Sequence, residues 1–249
     1  MSAGSSIREE MSGGVLKLSL DRPGAKNALD RAMVRDLRES VSSAARNTEL
    51  RLLTISSAVA RVFCLGMDLV ALTAAGDFGA WDGYAAISEY AGLLVDLVQF
   101  PAPTLAIVDG IAAGGGVELA LVCDTVIATQ DASFSIAQLR KGLFPFITSA
   151  VVVPRIGQSR FLHWALSGQT FPATRMLELG LINQLVGPDE LDRTVLLLCE
   201  RVSTFDASVL RAGIATLRAE SGSEVAARIR HALPLFALNC LARREGSQT

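Results

Sequence analysis

The residues best placed to do chemistry are Gly114-Gly115-Gly116 and, two positions on, Glu118, a lone carboxylate in an otherwise apolar run. Glycine is a poor helix former, so three of them ahead of a helical pattern imply close approach of the backbone to something. Unpaired N–H groups at such a start favour negative charge, either a bound anion or an oxyanion that develops during a reaction. Alone, the motif is weak. The glycines also serve to turn the chain, and a solvated carboxylate is favoured in a first helical turn in any case. A second stretch tips the balance: Ala60-Arg-Val-Phe-Cys-Leu-Gly-Met-Asp-Leu69 has the same grammar, an apolar approach, then Gly66, then Asp68. Each stretch follows a candidate strand, 52–56 and 104–108, so two glycine-assisted turns can aim two backbone N–H groups at one oxygen. That is the arrangement of an oxyanion hole.

The elements that must hold these turns read as strand followed by helix. Residues 15–20 alternate as a strand. Residues 27–46 carry Leu29, Met33, Leu37 and Val41 at four-residue spacing, an amphipathic helix. Residues 77–100 place Ile87, Tyr90, Leu94 and Val98 on one stripe, and Pro101 and Pro103 end it. Residues 104–108 read as a buried strand, Asp109-Gly110 as a turn, 116–123 as a buried helix, and 125–128 and 134–136 as short strands. From Ser149 the pattern is nearly all helical, punctuated at Gly157, Gly168, Pro172, Gly187-Pro188 and Pro234. An α/β core leads into a helical tail, with no repeat or low-complexity segment.

A chain of 249 residues, 50% hydrophobic, has enough apolar material for a sizeable core. Lys+Arg 23 against Asp+Glu 25 provides no broad attraction for nucleic acid or an anionic membrane. Residues 1–13 carry no signal-like apolar stretch and read as a loose lead-in. The longest apolar runs are too short or too interrupted to span a bilayer. Cys64, Cys123, Cys199 and Cys240 stand singly in apolar or helical contexts. They suit reduced core thiols better than disulfides or a metal cluster, which points to a cytoplasmic protein.

Five segments, in order, resemble the enoyl-CoA hydratase/isomerase (crotonase) superfamily. They are Asp21-Arg-Pro-Gly-Ala-Lys-Asn-Ala-Leu29, the Phe63-Cys-Leu-Gly-Met-Asp-Leu69 stretch, Val108 through the triple glycine to Asp124, Ala132-Ser-Phe-Ser-Ile-Ala-Gln-Leu-Arg-Lys-Gly-Leu-Phe-Pro145, and Gly180-Leu-Ile-Asn-Gln-Leu-Val186. The resemblance implies a spiral of ββα units over residues 14–190 and a C-terminal helical trimerisation region over 191–249, assembled as a homotrimer or hexamer. It implies an acyl-thioester substrate on CoA or on the phosphopantetheine of an acyl-carrier protein, with no separate cofactor and no metal. The chemistry implied is that of an enoyl-CoA hydratase/isomerase-like lyase of fatty-acid or polyketide metabolism.

Carried across position by position, the resemblance puts the two oxyanion-hole N–H groups on Leu65 and Gly115, and substrate contacts at Ala25, Lys26, Ala28, Gly66, Met67, Asp68, Gly114 and Phe146. Glu118 matches the first of two hydratase glutamates. The second should stand at 138, where this chain has Gln138. An amide orients a water but cannot take its proton, so hydration would rest on Glu118 alone. The family's second glycine-rich turn is replaced by Phe146-Ile-Thr-Ser149. Together with Met67, this resembles decarboxylases or dehydratases that act on carrier-bound beta-branched intermediates in polyketide assembly. A catalytically weak homologue with a binding role is a further alternative; near-neutral charge argues against RNA as its ligand. His163 and His231 read as structural or surface residues, with a lesser chance that His231 approaches a pocket. Asp124 reads as a buried structural acceptor, and Lys26 as a turn residue or a contact for CoA phosphates.

Overall fold

The computed structural model describes residues 6–68 and 80–246. Among the described residues, ten strands form two sheets. The larger has the order β1-β2-β3-β5-β7-β10, built from Ile7–Ser12, Val15–Leu20, Leu52–Ser57, Thr104–Val108, Thr125–Thr129 and Gln184–Val186. The smaller has the order β4-β6-β8-β9, from Val62–Cys64, Ile111–Ala113, Ser133–Ser135 and Thr170–Pro172. Among the described residues, only the β1–β2 and β8–β9 pairs are antiparallel.

The winding is regular. Each of β3, β5 and β7 enters the large sheet, and the strand that follows it enters the small one. After β4 and β6 the chain crosses back to the large sheet through α2 (Ala80–Val98) and α3 (Gly115–Leu121); after β8 a 3-10 turn (Ala137–Lys141) and α4 (Phe146–Ile156) lead on towards β9, which rejoins the small sheet. Three successive ββα units therefore build the core, although no repeat shows in the sequence.

The central strands β3, β5 and β7 of the large sheet are buried on both faces, which is why they read as near-continuous apolar runs, whereas β2 alternates and β1 at the edge is mostly exposed. Leu53, Ile55, Ala106 and Val126 face the main core. Leu52, Leu105 and Ile127 turn the other way, onto a smaller cluster closed by Leu191 and Cys199 of α7 (Leu191–Ser203). Helix α1 (Arg31–Ala45) buries Met33, Val34, Leu37, Val41 and Ala44. It begins at residue 31 rather than 27 because Asp30 caps it, its side chain accepting from Met33 N at 2.8 Å. The preceding residues belong to a turn instead.

Several expectations change. The lead-in is not loose throughout, because Ile7–Ser12 pairs along its whole length with β2. The tail is nearly all helical as expected, with the three-residue β9 and β10 set between α5 (Gln158–Ser167), α6 (Ala173–Glu178) and α7. Three-residue strands carry no readable alternation. The predicted start of α2 at 77–79, Leu69, the side chain of Cys240 and the two chain ends lie outside the described residues. After α7 come α8 (Ala207–Leu217), a π turn (Arg218–Gly222) and α9 (Ser223–Gly246), which packs against α2 and α4. No helix among the described residues is long and apolar enough to cross a membrane.

Candidate active site

Two backbone turns meet behind one cavity. Gly66, two residues after β4, has φ +83°, and a Cβ there would lie 2.5 Å from Gly115 N and 2.7 Å from Ala113 O. Only glycine fits both the conformation and the approach. Gly116 is needed for a different reason: its Cβ would fall 2.1 Å from the Cys64 carbonyl oxygen, so α3 packs directly on the end of β4. Helix α3 starts at Gly114, whose carbonyl accepts from Val117 N and Glu118 N. Neither the Leu65 nor the Gly115 N–H donates to a turn, loop or side-chain acceptor among the described residues.

The cavity beside these turns has a volume of about 250 Å³. Leu65, Met67, Gly114, Gly115, Glu118, Gln138 and Phe146 all line it, together with Tyr90 and, from α9, Phe236. Leu65 is 36% exposed and stands at the mouth. Ala25, Lys26, Ala28 and Asp68 do not line it. Ala25, Lys26 and Ala28 belong to an adjoining turn, which is fastened to the Gly66 stretch by Leu29 N to Gly66 O at 2.8 Å and by Asp68 N to Leu29 O at 2.9 Å. Asn27, fully buried, ties that turn to the 63–66 loop by donating to the Phe63 carbonyl at 3.0 Å.

Glu118 is not a solvated helix-start carboxylate. It is 5% exposed and held on both oxygens: Thr148 Oγ1 donates to Oε1 at 2.5 Å, and Tyr90 Oη lies 3.0 Å from Oε2. The Tyr90 hydroxyl is also 2.7 Å from the Gly115 carbonyl oxygen, linking the carboxylate to the backbone turn. Burial raises the Glu118 pKa above the ordinary carboxylate range, and the bonds from Thr148 and Tyr90 offset part of that rise. Burial, reinforced by the nearby Glu118, raises the Tyr90 hydroxyl in turn. Burial pushes the neighbouring Cys64 thiol up to about 12, so it stays neutral. Gln138 Nε2 is 3.3 Å from Thr148 Oγ1, so residues 118 and 138 are joined through one hydroxyl.

The other singled-out residues fall outside this cavity. His163 is exposed on α5, and His231 is exposed on α9, where it lines a separate apolar groove between α4, α5 and α9. Asp124 is the structural acceptor expected, taking Thr104 N at 2.7 Å and Arg218 Nη2 at 2.8 Å, but it lies at the surface rather than buried.

Comparison with known proteins bears on this arrangement. Residues 10–237 match the family model described as Enoyl-CoA hydratase/isomerase. The chain belongs to the enoyl-CoA hydratase/isomerase family. Among its relatives, it is 38% identical over 188 residues to a probable enoyl-CoA hydratase of Rhodobacter capsulatus, covering 74% of this chain and 69% of that protein. It is 33% identical over 178 residues to the mouse mitochondrial enoyl-CoA hydratase domain-containing protein 2, covering 71% of this chain and 59% of the relative. The chain thus spans about three fifths of that relative's length. In three dimensions it superposes on an enoyl-CoA hydratase/isomerase of Xanthobacter autotrophicus Py2 with a TM-score of 0.86 at 26% identity, covering 94% of this chain and 87% of that one. An enoyl-CoA hydratase of Bacillus halodurans gives 0.87 at 22% identity, over 94% and 95% of the two chains, and so speaks for the crotonase fold alone.

Within this family frame, two residues of the cavity network went unread in the sequence. Tyr90 appeared only as part of an apolar helical stripe, and Thr148 only as part of a replaced turn. The available signal was one hydroxyl among neighbours that also carry them, Ser88 before Tyr90 and Ser149 after Thr148, which is hard to separate from ordinary composition.

Proposed function

We propose that the protein is an acyl-thioester enzyme that stabilises an enolate-like intermediate, with the thioester oxygen held by the N–H groups of Leu65 and Gly115 and with Glu118 moving the proton. The observation that carries this reading is Glu118 itself: a carboxylate of raised pKa, buried in the cavity wall and hydrogen-bonded to a hydroxyl that also touches Gly115. A base poised nearer neutrality exchanges protons with weakly acidic carbon more readily than an ordinary surface carboxylate. Loss of an α-proton leaves negative charge on the thioester oxygen, and two backbone donors aimed at that oxygen lower the barrier.

The adjoining 21–29 turn, with exposed Lys26, suits the phosphate-bearing part of CoA or phosphopantetheine, outside the cavity. A second reading, decarboxylation or dehydration of carrier-bound beta-branched acyl groups, draws on Met67 and Phe146, which both line the cavity. It uses the same enolate. Trimer or hexamer assembly and a cytoplasmic location complete the proposal; the free, buried Cys64, Cys123 and Cys199 accord with a reducing compartment.

The test is exchange of the α-protons of butyryl-CoA in D₂O, followed by mass spectrometry. Wild type should catalyse it, and Glu118→Gln should lose roughly 100- to 10,000-fold in rate, the usual share of a general base, while binding the thioester nearly as before. Equal exchange by the two proteins would remove Glu118 from the chemistry.

A further inference from the structure

Phe146 stands between two spaces. On one side is the cavity of about 250 Å³ that holds Glu118, and on the other is the apolar groove of about 630 Å³ between α4, α5 and α9. Among the described residues, Phe146 alone lines both. Its sequence neighbours divide: Leu143, Pro145 and Ile147 face the cavity, whereas Phe144, Ser149 and Ala150 face the groove. The side chain at 146 is therefore the partition.

That partition is held in place from several directions. Phe146 opens α4, its N–H donating to the Phe144 carbonyl at 2.9 Å and its own carbonyl accepting from Ser149 Oγ at 2.6 Å. Its ring packs on Phe144 with centroids 4.9 Å apart, and Phe144 meets Phe161 at 6.4 Å. From α9, Asn239 Oδ1 accepts the Phe144 N–H at 3.0 Å, so the helix that borders the groove also steadies the wall.

The sizes decide what the wall does to a substrate. Sites for drug-sized ligands enclose roughly 300–1,000 Å³. The cavity alone lies below that range, and the two spaces together lie inside it. A short acyl group fits the cavity, but a long one has to pass position 146. Beyond it, Val153, Phe161 and Leu235 offer the groove's apolar surface, and the groove's charged Glu224 and Arg228 are paired with each other at 2.7 Å. Resting on the acyl-thioester reading above, we propose that Phe146 sets the acyl-chain limit of this site, confining it to short acyl thioesters by closing off a groove that would take the remainder of a longer chain.

The test compares butyryl-, octanoyl- and dodecanoyl-CoA by α-proton exchange in D₂O and by calorimetric binding. One misplaced methylene in an apolar pocket costs about 10-fold or more, so wild type should favour butyryl- over dodecanoyl-CoA by at least about 100-fold in kcat/KM and bind the longer ester no more tightly. Phe146→Ala should raise the dodecanoyl-to-butyryl ratio about 10-fold or more in both measurements. Phe146→Leu should move it the same way by less, and it decides the matter if circular dichroism shows Phe146→Ala unfolded. His231 is exposed and lines the groove, so His231→Trp fills that space from outside. Added to Phe146→Ala, it should reverse the gain; alone, it should leave exchange of butyryl-CoA unchanged. Wild type that handles dodecanoyl- as well as butyryl-CoA would overturn the proposal. So would an unchanged ratio in the folded Phe146 variant, or a gain that persists with the groove filled. Absence of exchange by wild type with all three esters would instead overturn the proton chemistry proposed above, while the binding series still decides the role of Phe146.

Discussion

The two glycine turns of this molecule share a sequence grammar and differ in what they present. Both follow a short strand of the small sheet, both place a glycine at close backbone approach, and both end in a carboxylate two residues later. After Gly116 the carboxylate is Glu118, buried in the cavity and bonded to Thr148 and Tyr90. After Gly66 it is Asp68, which accepts from Arg22 Nη1 at 2.7 Å outside the cavity lining. The ββα winding brings both turns to the same edge, but the second turn runs into a helix directed at α2 and α4, whereas the first pairs with the 21–29 turn. Burial therefore separates their tasks: one carboxylate is left with a raised pKa in the cavity wall, and the other fastens a loop.

A large effect is expected from breaking the backbone half of that arrangement. Gly115→Pro deletes the N–H proposed to meet the thioester oxygen, at the first position of α3, where a helix tolerates proline. Its Cβ would meet Tyr90 Oη at 2.9 Å, a contact the tyrosine must yield. Exchange should fall about 100- to 1000-fold, the usual cost of one oxyanion donor, with circular dichroism checking the fold. A folded variant of undiminished rate would show that the two turns do not cooperate on one oxygen.

A smaller effect concerns stability, and its sign follows from the burial of Glu118. The folded-state pKa lies above the unfolded value, so the folded protein holds the proton more tightly. The associated stability is fully present below the unfolded pKa and is lost as pH rises through the folded pKa. Glu118→Gln has no such proton, so its urea midpoint should exceed that of wild type above the folded pKa and draw level as pH falls. Exchange by wild type, which needs the carboxylate form, should rise over the same window. A midpoint difference that grows as pH falls would contradict the raised pKa.

The contrast between the turns also explains how much of the site the sequence disclosed. Glu118, Gly114 and Gly66 stand out because glycine and charge are rare in apolar runs, and close backbone approach leaves few other choices. The strands and helices that carry them announce themselves by apolar pattern. The repeated ββα unit stays hidden because only its winding recurs: the approach to Gly66 and the approach to Gly116 share little beyond apolarity. Tyr90 and Thr148 reach Glu118 from helices distant in sequence, so only the packed core shows that their hydroxyls point at one carboxylate. Asp68 carries the same signal as Glu118 in one dimension, and only the packing around each carboxylate tells them apart.

The smallest predicted effect sharpens that last distinction. Arg22 reaches Asp68 at 2.7 Å, Asp30 at 3.2 Å and the Ala28 carbonyl at 2.7 Å, so it fastens the 21–29 turn by several contacts at once. Asp68 and Arg22 side chains keep 15% and 25% exposure, where water and salt weaken an ion pair. Asp68→Asn keeps the shape and one acceptor oxygen, and it leaves the backbone bond from Asp68 N to Leu29 O in place. The expected loss is about 0.5–1 kcal/mol of stability, read from the urea midpoint and smaller in high salt. α-Proton exchange should stay within about twofold of wild type, as for a substitution that leaves core and cavity untouched. If Asp68→Asn instead lost activity on the scale of Gly115→Pro, the carboxylate of the first turn would share in the chemistry, and the division of labour between the turns would have to be abandoned.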